Sequence, residues 1–358
     1  MTKVECSAKK FSSFELGISF VIRASSFSHF RSAFVVSAHS QVTVFHNPLM
    51  KDLLKKLLPF LTLLVLFLLL SILSPYFLTV DNLSTVARQT AVINIIAIGM
   101  TLVIISGGVD LSVGAVLALC GICGTLLMEK GVSVLPATVL GILTGAGWGL
   151  LTGLTITALR VPAFIATLGG LGMARGLTLL ITDGRPVTDV PKSFARLGDG
   201  SFLGFIPVPV ILLILVAVIM SCVLRYTRLG RYAYAMGGNP QAAHLSGVNL
   251  RSYGLAFYSI LGGLTGLAGM IEASRLVTGQ PTAGEGYELR AIAAVVIGGG
   301  SLSGGAGTVL GTTVAAFIMS LLNNGCNLLG ISPFIQQILI GGIIVLAVAA
   351  DEYRRRHT

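Results

Sequence analysis

Charge is scarce in this chain: 11% of its 358 residues are Asp, Glu, Lys or Arg, less than half the roughly 25% of a soluble domain. With 54% hydrophobic residues and a mean hydropathy of +0.89, a soluble monomer is excluded. Tryptophan occurs once, which removes the aromatic girdles of a membrane β-barrel. No lysine follows Lys192 and no G-x-x-x-x-G-K-[ST] occurs, so the chain has no phosphate-cradling lysine loop and cannot hydrolyse ATP alone. H-E-x-x-H, G-x-S-x-G and G-x-G-x-x-G are also missing, leaving no nucleophile or catalytic metal cluster. Cysteine is sparse and odd in number, at five. Cys120 and Cys123 form a C-x-x-C inside an apolar stretch with no His or acidic neighbour, which reads as packing and not as a metal site.

What is present is apolar sequence rich in glycine, 44 residues of it, as in helices that pack closely in lipid. The fold class is therefore all-α, a polytopic helical membrane protein. Spans of about 20 residues are needed to cross about 30 Å of hydrocarbon. The apolar segments place ten helices near 57–75, 90–106, 111–128, 134–158, 162–181, 207–224, 253–273, 288–298, 306–322 and 334–350. The eighth is too short to cross alone, so some elements are broken or re-entrant. Ten crossings from an inside N-terminus put both termini in the cytoplasm and 11 of the 19 basic residues after residue 49 on that side, a weak positive-inside bias. The net charge of +10 is scattered between apolar runs, unlike the basic face of a nucleic-acid binder.

Residues 1–49 differ from the rest, with ten serines, seven phenylalanines and no run long enough to span. Met50-Lys-Asp-Leu-Leu-Lys-Lys reads as a normal basic start into an apolar helix. Residues 1–49 are thus expected to be a disordered or non-native extension, with 50–358 the transmembrane domain. The mass of the intact native subunit tests this.

Two glycine-broken segments echo one another, Gly107-Gly-Val-Asp-Leu-Ser-Val-Gly114 and Gly298-Gly-Gly-Ser-Leu-Ser-Gly-Gly305, both G-G-x-x-L-S-x-G. Such duplicated breaks point to a transport pathway. Asp110 and Ser301 occupy matching places, where each is read as an N-cap opening an apolar helix. The row Gly141, Gly145, Gly149 and Gly153 reads as a packing seam. Charges within spans are few, Asp110, Arg175 and Glu272 among them, and in lipid each is a functional candidate. Glu272 and Arg275 read first as an i,i+3 pair. Amides in or beside spans, Asn94, Asn323, Asn324, Asn327, Gln336 and Gln337, suit a pathway for a polyhydroxylated solute or interhelical hydrogen bonds; with Asp110 and Glu272 they make the candidate pathway set.

The largest inside loop, 225–251, contains Gly237-Gly-Asn-Pro-Gln-Ala-Ala-His-Leu-Ser-Gly-Val248. Asn239 is a good N-cap, Pro240 suits the first helical position, and Gly247 can end the helix left-handed. A short helix outside the membrane, carrying Ala242 and Ala243, is shaped to enter another protein's groove. Here the chain resembles a family. Gln241-Ala-Ala-x-x-x-Gly247 is similar to the E-A-A-x-x-x-G loop of ABC importer permeases, with Gln241 where that motif has Glu. Gly107–Gly114, Gln280-Pro-Thr-Ala-Gly-Glu-Gly-Tyr-Glu-Leu289, Ala291–Gly299 and Leu322-Asn-Asn-Gly-Cys-Asn-Leu-Leu-Gly330 resemble ribose-type sugar permeases, though Arg290 stands where they have Asp.

The resemblance implies a coupling helix at 239–247, a second permease subunit, alike or different, and two ATP-binding cassette subunits that hold ATP and Mg. It also implies a periplasmic sugar-binding protein and a place in the bacterial inner membrane. This chain itself would hold no cofactor or metal and would not be an enzyme. The competing reading is an ion-coupled secondary transporter or channel using Asp110 and Glu272.

Overall fold

The computed structural model describes residues 48–356, and its compact unit runs from Lys55 onward. The expectation for residues 1–47 lies outside the described residues. Ten apolar helices follow the ten expected segments: α1 (Pro48–Leu73), α2 (Val80–Ile105), α3 (Val113–Glu129), α4 (Val134–Thr157), α5 (Ala163–Thr182), α7 (Val208–Tyr226), α10 (Leu250–Leu276), α11 (Tyr287–Ile297), α12 (Val309–Leu328) and α13 (Pro333–Arg356). Three shorter helices lie between them, α6 (Ala195–Gly198), α8 (Arg228–Gly238) and α9 (Pro240–Leu245). Among the described residues, α2, α4, α5, α7, α10 and α12 are long and apolar enough to cross a membrane. The chain is a polytopic helical membrane protein. As expected, α11, with 11 residues, covers about 16 Å and cannot span alone.

The core forms around α2 and α10. From Thr90 to Ile105 every residue of α2 is buried, as a helix apolar on nearly every side requires. Against α10, α4 presents the glycine row, and the two backbones touch. A Cβ on Gly145 would fall 2.3 Å from the Gly262 carbonyl oxygen, and one on Gly149 2.0 Å from that of Tyr258. The row is a packing seam. Helix α5 buries only Thr167, Gly170, Ala174 and Thr178, one stripe at helical spacing. On its other side Gly169, Gly172 and Gly176 face open space.

The segment between α5 and α7 is pinned to the bundle. Phe194 is buried, its carbonyl accepts from Ser274 Oγ (2.5 Å), and that hydroxyl accepts from the Gly198 amide (2.7 Å). Arg88 pairs with Asp199 at 3.1 Å, and a two-residue antiparallel hairpin (Ser201–Phe202 with Ile206–Pro207) closes the loop.

The two caps read from the glycine repeats are corrected. Ser301 opens no helix: it sits in the turn 298–308, and α12 begins after Thr308, whose Oγ1 accepts from the Gly311 amide at 3.1 Å. Asp110 stands two residues before the cap position of α3, which is Ser112. Its Oδ1 accepts from the Ser112 amide (2.8 Å) and hydroxyl (2.6 Å), so it shapes the turn ahead of the helix and leaves the first-turn amides alone. The two segments match in sequence, yet one continues directly into a helix and the other turns back through Gly304, Gly305 and Gly307, all at positive φ.

Candidate functional site

Helix α9 is built as its residues dictate. Asn239, in extended conformation, accepts from the Ala242 amide at 2.9 Å, and Pro240 occupies the first helical position. At the far end Gly247 takes φ +86. The Gly247 amide donates to His244 O (2.9 Å) and the Val248 amide to Ala243 O (3.0 Å), the paired closure of a left-handed cap. Ala243 and Val248 are the buried apolar pair that goes with it. The helix has six residues, and Ala243 is turned inward. Gln241, Ala242, His244 and Leu245 point outward. Leu245, at 88% exposure, is an apolar knob with no partner within the described chain.

Immediately before α9, the end of α8 meets both glycine repeats at backbone distance. A Cβ on Gly237 would lie 1.8 Å from the Ile105 carbonyl oxygen and 2.5 Å from the Gly305 nitrogen. The Gly305 amide donates to that same Ile105 oxygen at 2.8 Å. Gly304 comes equally close: its Cβ would sit 2.7 Å from Gly237 Cα and 3.0 Å from Gly107 Cα. Tyr234 of α8 adds a hydrogen bond from its hydroxyl to Gly307 O (2.8 Å). The two echoing segments, 191 residues apart in sequence, therefore converge on the strut that carries the exposed helix. Sequence patterning showed the repeats and the helix but not that they touch.

The candidate pathway residues fall into separate places. Asn94 is fully buried, and its Nδ2 donates to Thr313 O at 3.2 Å, tying α2 to α12. Asn324 exchanges amide hydrogen bonds with Asn82 (2.7 and 3.2 Å). Asn327 donates to Asn323 (3.3 Å) and accepts from Gln336 (2.8 Å), which also reaches Ile331 O (3.0 Å). Gln337 is exposed on α13. The bonds of Asn94 to Thr313, Asn324 to Asn82 and Gln336 to Asn327 join different helices, worth about 0.6 kcal/mol each in lipid, whereas Asn327 to Asn323 lies within α12. Asn323 borders a cleft of about 30 Å³ with Gln89, Arg290 and Ser320, room for about one water and too small for a sugar.

Glu272 is buried, and its carboxylate receives Arg275 through two bonds (2.8 and 3.2 Å) and the Tyr287 hydroxyl (3.4 Å). The i,i+3 pair expected from the sequence forms. Asp110 and Glu272 are thus each held by local partners.

Arg175 belongs to a site that sequence reasoning left without partners. From α5 its guanidinium donates to Pro281 O (2.5 Å) and Ala283 O (3.1 Å from both Nη atoms). These bonds hold the segment 280–286 against α5 and α3; a Cβ on Gly114 would meet the Gly284 carbonyl oxygen at 2.2 Å. Glu285 and Glu288 lie within electrostatic reach of the same guanidinium. The clamp grips backbone carbonyls more than a hundred residues away, which no side-chain motif announces.

Residues 82–348 match a family described as the permease component of branched-chain amino acid transport systems. The ribose import permease of Escherichia coli (strain K12) is 46% identical over 299 residues, 82% of this chain and 93% of that protein. Its counterpart in Bacillus subtilis (strain 168) is 47% identical, with 83% and 93% covered. The D-allose transport system permease of Escherichia coli (strain K12) is 39% identical, with 78% and 86% covered. No solved structure matches. The match spans the glycine repeats, the strut and the exposed helix alike, and the chain belongs to this family of transport permeases.

Proposed function

We propose that this chain is the membrane-spanning subunit of an ATP-driven importer for a monosaccharide, ribose or a related pentose or hexose. The observation that carries the reading is the exposed, doubly capped helix α9, joined through Gly237 to the two glycine turns at one end of the bundle. A partner that docks on α9 can pull on backbone that reaches the bundle core, and only a partner that binds two permease states differently can shift their balance. The family membership and the names of the relatives, ribose import permeases and a D-allose transport system permease, support the substrate class.

In this reading α9 is the coupling helix, with Asn239, Pro240, Gln241, Ala242, Ala243 and Gly247 forming it, and ATP and Mg are bound by separate cassette subunits in the cytoplasm. Both termini then face the cytoplasm, the 183–207 loop meets a periplasmic sugar-binding protein, and the membrane is the bacterial inner membrane. The open glycine face of α5 and the Arg175 clamp beside it suit the contact with a second permease subunit. A charged group at that position along a span needs water or protein around it, and the Pro281 and Ala283 carbonyls supply it on this flank.

Replacing Ala242 with Trp tests the docking role, because the bulk enters the partner groove without touching the bundle. We expect a normally inserted permease that supports neither ATP-driven sugar uptake into vesicles nor stimulated ATPase activity. Full uptake by the variant overturns the assignment. Uptake that collapses with a proton ionophore and ignores ATP would instead favour an ion-coupled transporter.

A further inference from the structure

Beside α9 lies a cleft of about 620 Å³ whose charge has no counterpart. It is lined by Thr157, Ala158 and Arg160 after α4, by His244, Gly247 and Val248 of the α9 cap, and by Asn249 to Arg251 where α10 begins. Arg160, His244 and Arg251 are all exposed. Among the described residues no ion pair involves Arg160 or Arg251. The whole stretch 225–251 holds four arginines, one histidine and no carboxylate. Arg225 is engaged over the Tyr226 ring, Arg231 donates to Tyr226 O, and the exposed Arg228 does not line the cleft, which leaves Arg160 and Arg251 as the arginines that border it. On α9 itself the outward polar residues are Gln241, which is neutral, and His244, so the permanent charges beside this interface are those of the flanking arginines.

We infer that this cleft receives a carboxylate side chain from the ATPase subunit, so that the docking interface is charge-complementary with the permease positive and the ATPase negative. The inference rests on the docking role proposed for α9: the cleft shares His244 and Gly247 with that helix, and a partner seated on Leu245 and Ala242 borders the cleft directly. An anionic lipid headgroup has similar chemistry, and the test separates the two.

Permease is placed in nanodiscs of neutral phosphatidylcholine or of phosphatidylglycerol, and the ATP-binding subunit that co-purifies with the unaltered permease is titrated onto it. The salt concentration is varied from about 50 to about 500 mM, where the screening length falls severalfold. We expect the unaltered permease to lose affinity steeply with salt in both lipids. Arg160→Gln with Arg251→Gln should bind about tenfold more weakly at low salt and respond little to added salt, as removal of interface charges does. Arg251→Lys alone, which keeps the charge, should retain the salt response. Both arginines are exposed, so the Gln pair should keep the unaltered melting temperature. Unaltered affinity and salt response in the Gln pair overturns the inference, as does a defect confined to phosphatidylglycerol discs, which assigns the cleft to lipid. Ala242→Trp is run in parallel: binding lost there but unaltered in the Gln pair sinks the charge inference alone, whereas binding retained by the Trp variant sinks the docking role itself.

Discussion

Gly237→Ala is the most informative single substitution, because the structure fixes both its cost and its control. The added Cβ would stand 1.8 Å from the Ile105 oxygen, whereas Cβ contacts under 3.0 Å essentially do not occur, so backbone must yield by about 1.2 Å, the difference of the two. Neither neighbour is a flexible side chain. Ile105 ends the buried helix α2, and Gly305 is held at φ +76. Moving either stretches the 2.8 Å hydrogen bond from Gly305 to Ile105, worth about 1 kcal/mol net and more if the amide is left buried and unpaired. Overpacking adds about 1–3 kcal/mol. The sum is about 2–4 kcal/mol, a fall of about 4–8 °C in melting temperature at about 2 °C per kcal/mol for a chain this large. The next residue supplies the control. A Cβ on Gly238 meets nothing within 4 Å, and alanine there should be neutral or slightly stabilising in the helix. Both variants are purified in detergent, melted, and assayed for sugar-stimulated ATPase with the partner subunits. Gly237→Ala should melt lower and lose stimulation while Gly238→Ala keeps both. Equal melting and equal stimulation in the two variants would refute the proposed contact between the coupling strut and the glycine turns.

The α4–α10 seam makes a parallel contrast: Gly145→Ala should lower the yield of folded protein by obstructing the Gly262 backbone, and Gly147→Ala, which faces open space, should not, as gel filtration will show. Asp110→Asn keeps an acceptor for Ser112 and should transport sugar close to normally. Asp110→Ala leaves the buried Ser112 amide unpaired at about 1–3 kcal/mol and should reduce folded protein; an Asn variant that assembles but transports nothing would show that the charge is needed. Glu272→Gln should cost about 1–3 kcal/mol, below the 3–5 of a fully buried broken pair because Arg275 reaches solvent. Replacing Glu272 and Arg275 together with Met should recover most of that melting temperature. Arg175→Met should release the 280–286 segment, seen as new protease cleavage there, with uptake lost even where the protein remains folded.

Composition and periodicity alone placed the ten helices to within a few residues at most ends, because each span must satisfy its own backbone in lipid and so announces itself as an unbroken apolar run. The caps of α9 were legible for a related reason: Asn239, Pro240 and Gly247 act on amides and carbonyls within a few residues of themselves. The α4 glycine row was legible as a face, since four-residue spacing is helical geometry. Ser301 and Asp110 mark where local reading stops. Both sit in the same pattern, yet whether a helix follows at once depends on what the turn packs against, and Gly304 and Gly305 are drawn to Gly237 by tertiary contact. The amide set shows the same limit, because a polar side chain in a span serves a passage or a neighbouring helix according to what stands opposite it. Asn82 stands opposite Asn324, and 242 residues of sequence separate them. The Arg175 clamp was invisible for the strongest reason of all: its partners are main-chain oxygens, which every residue carries, so only the folded path of the chain could single out Pro281 and Ala283.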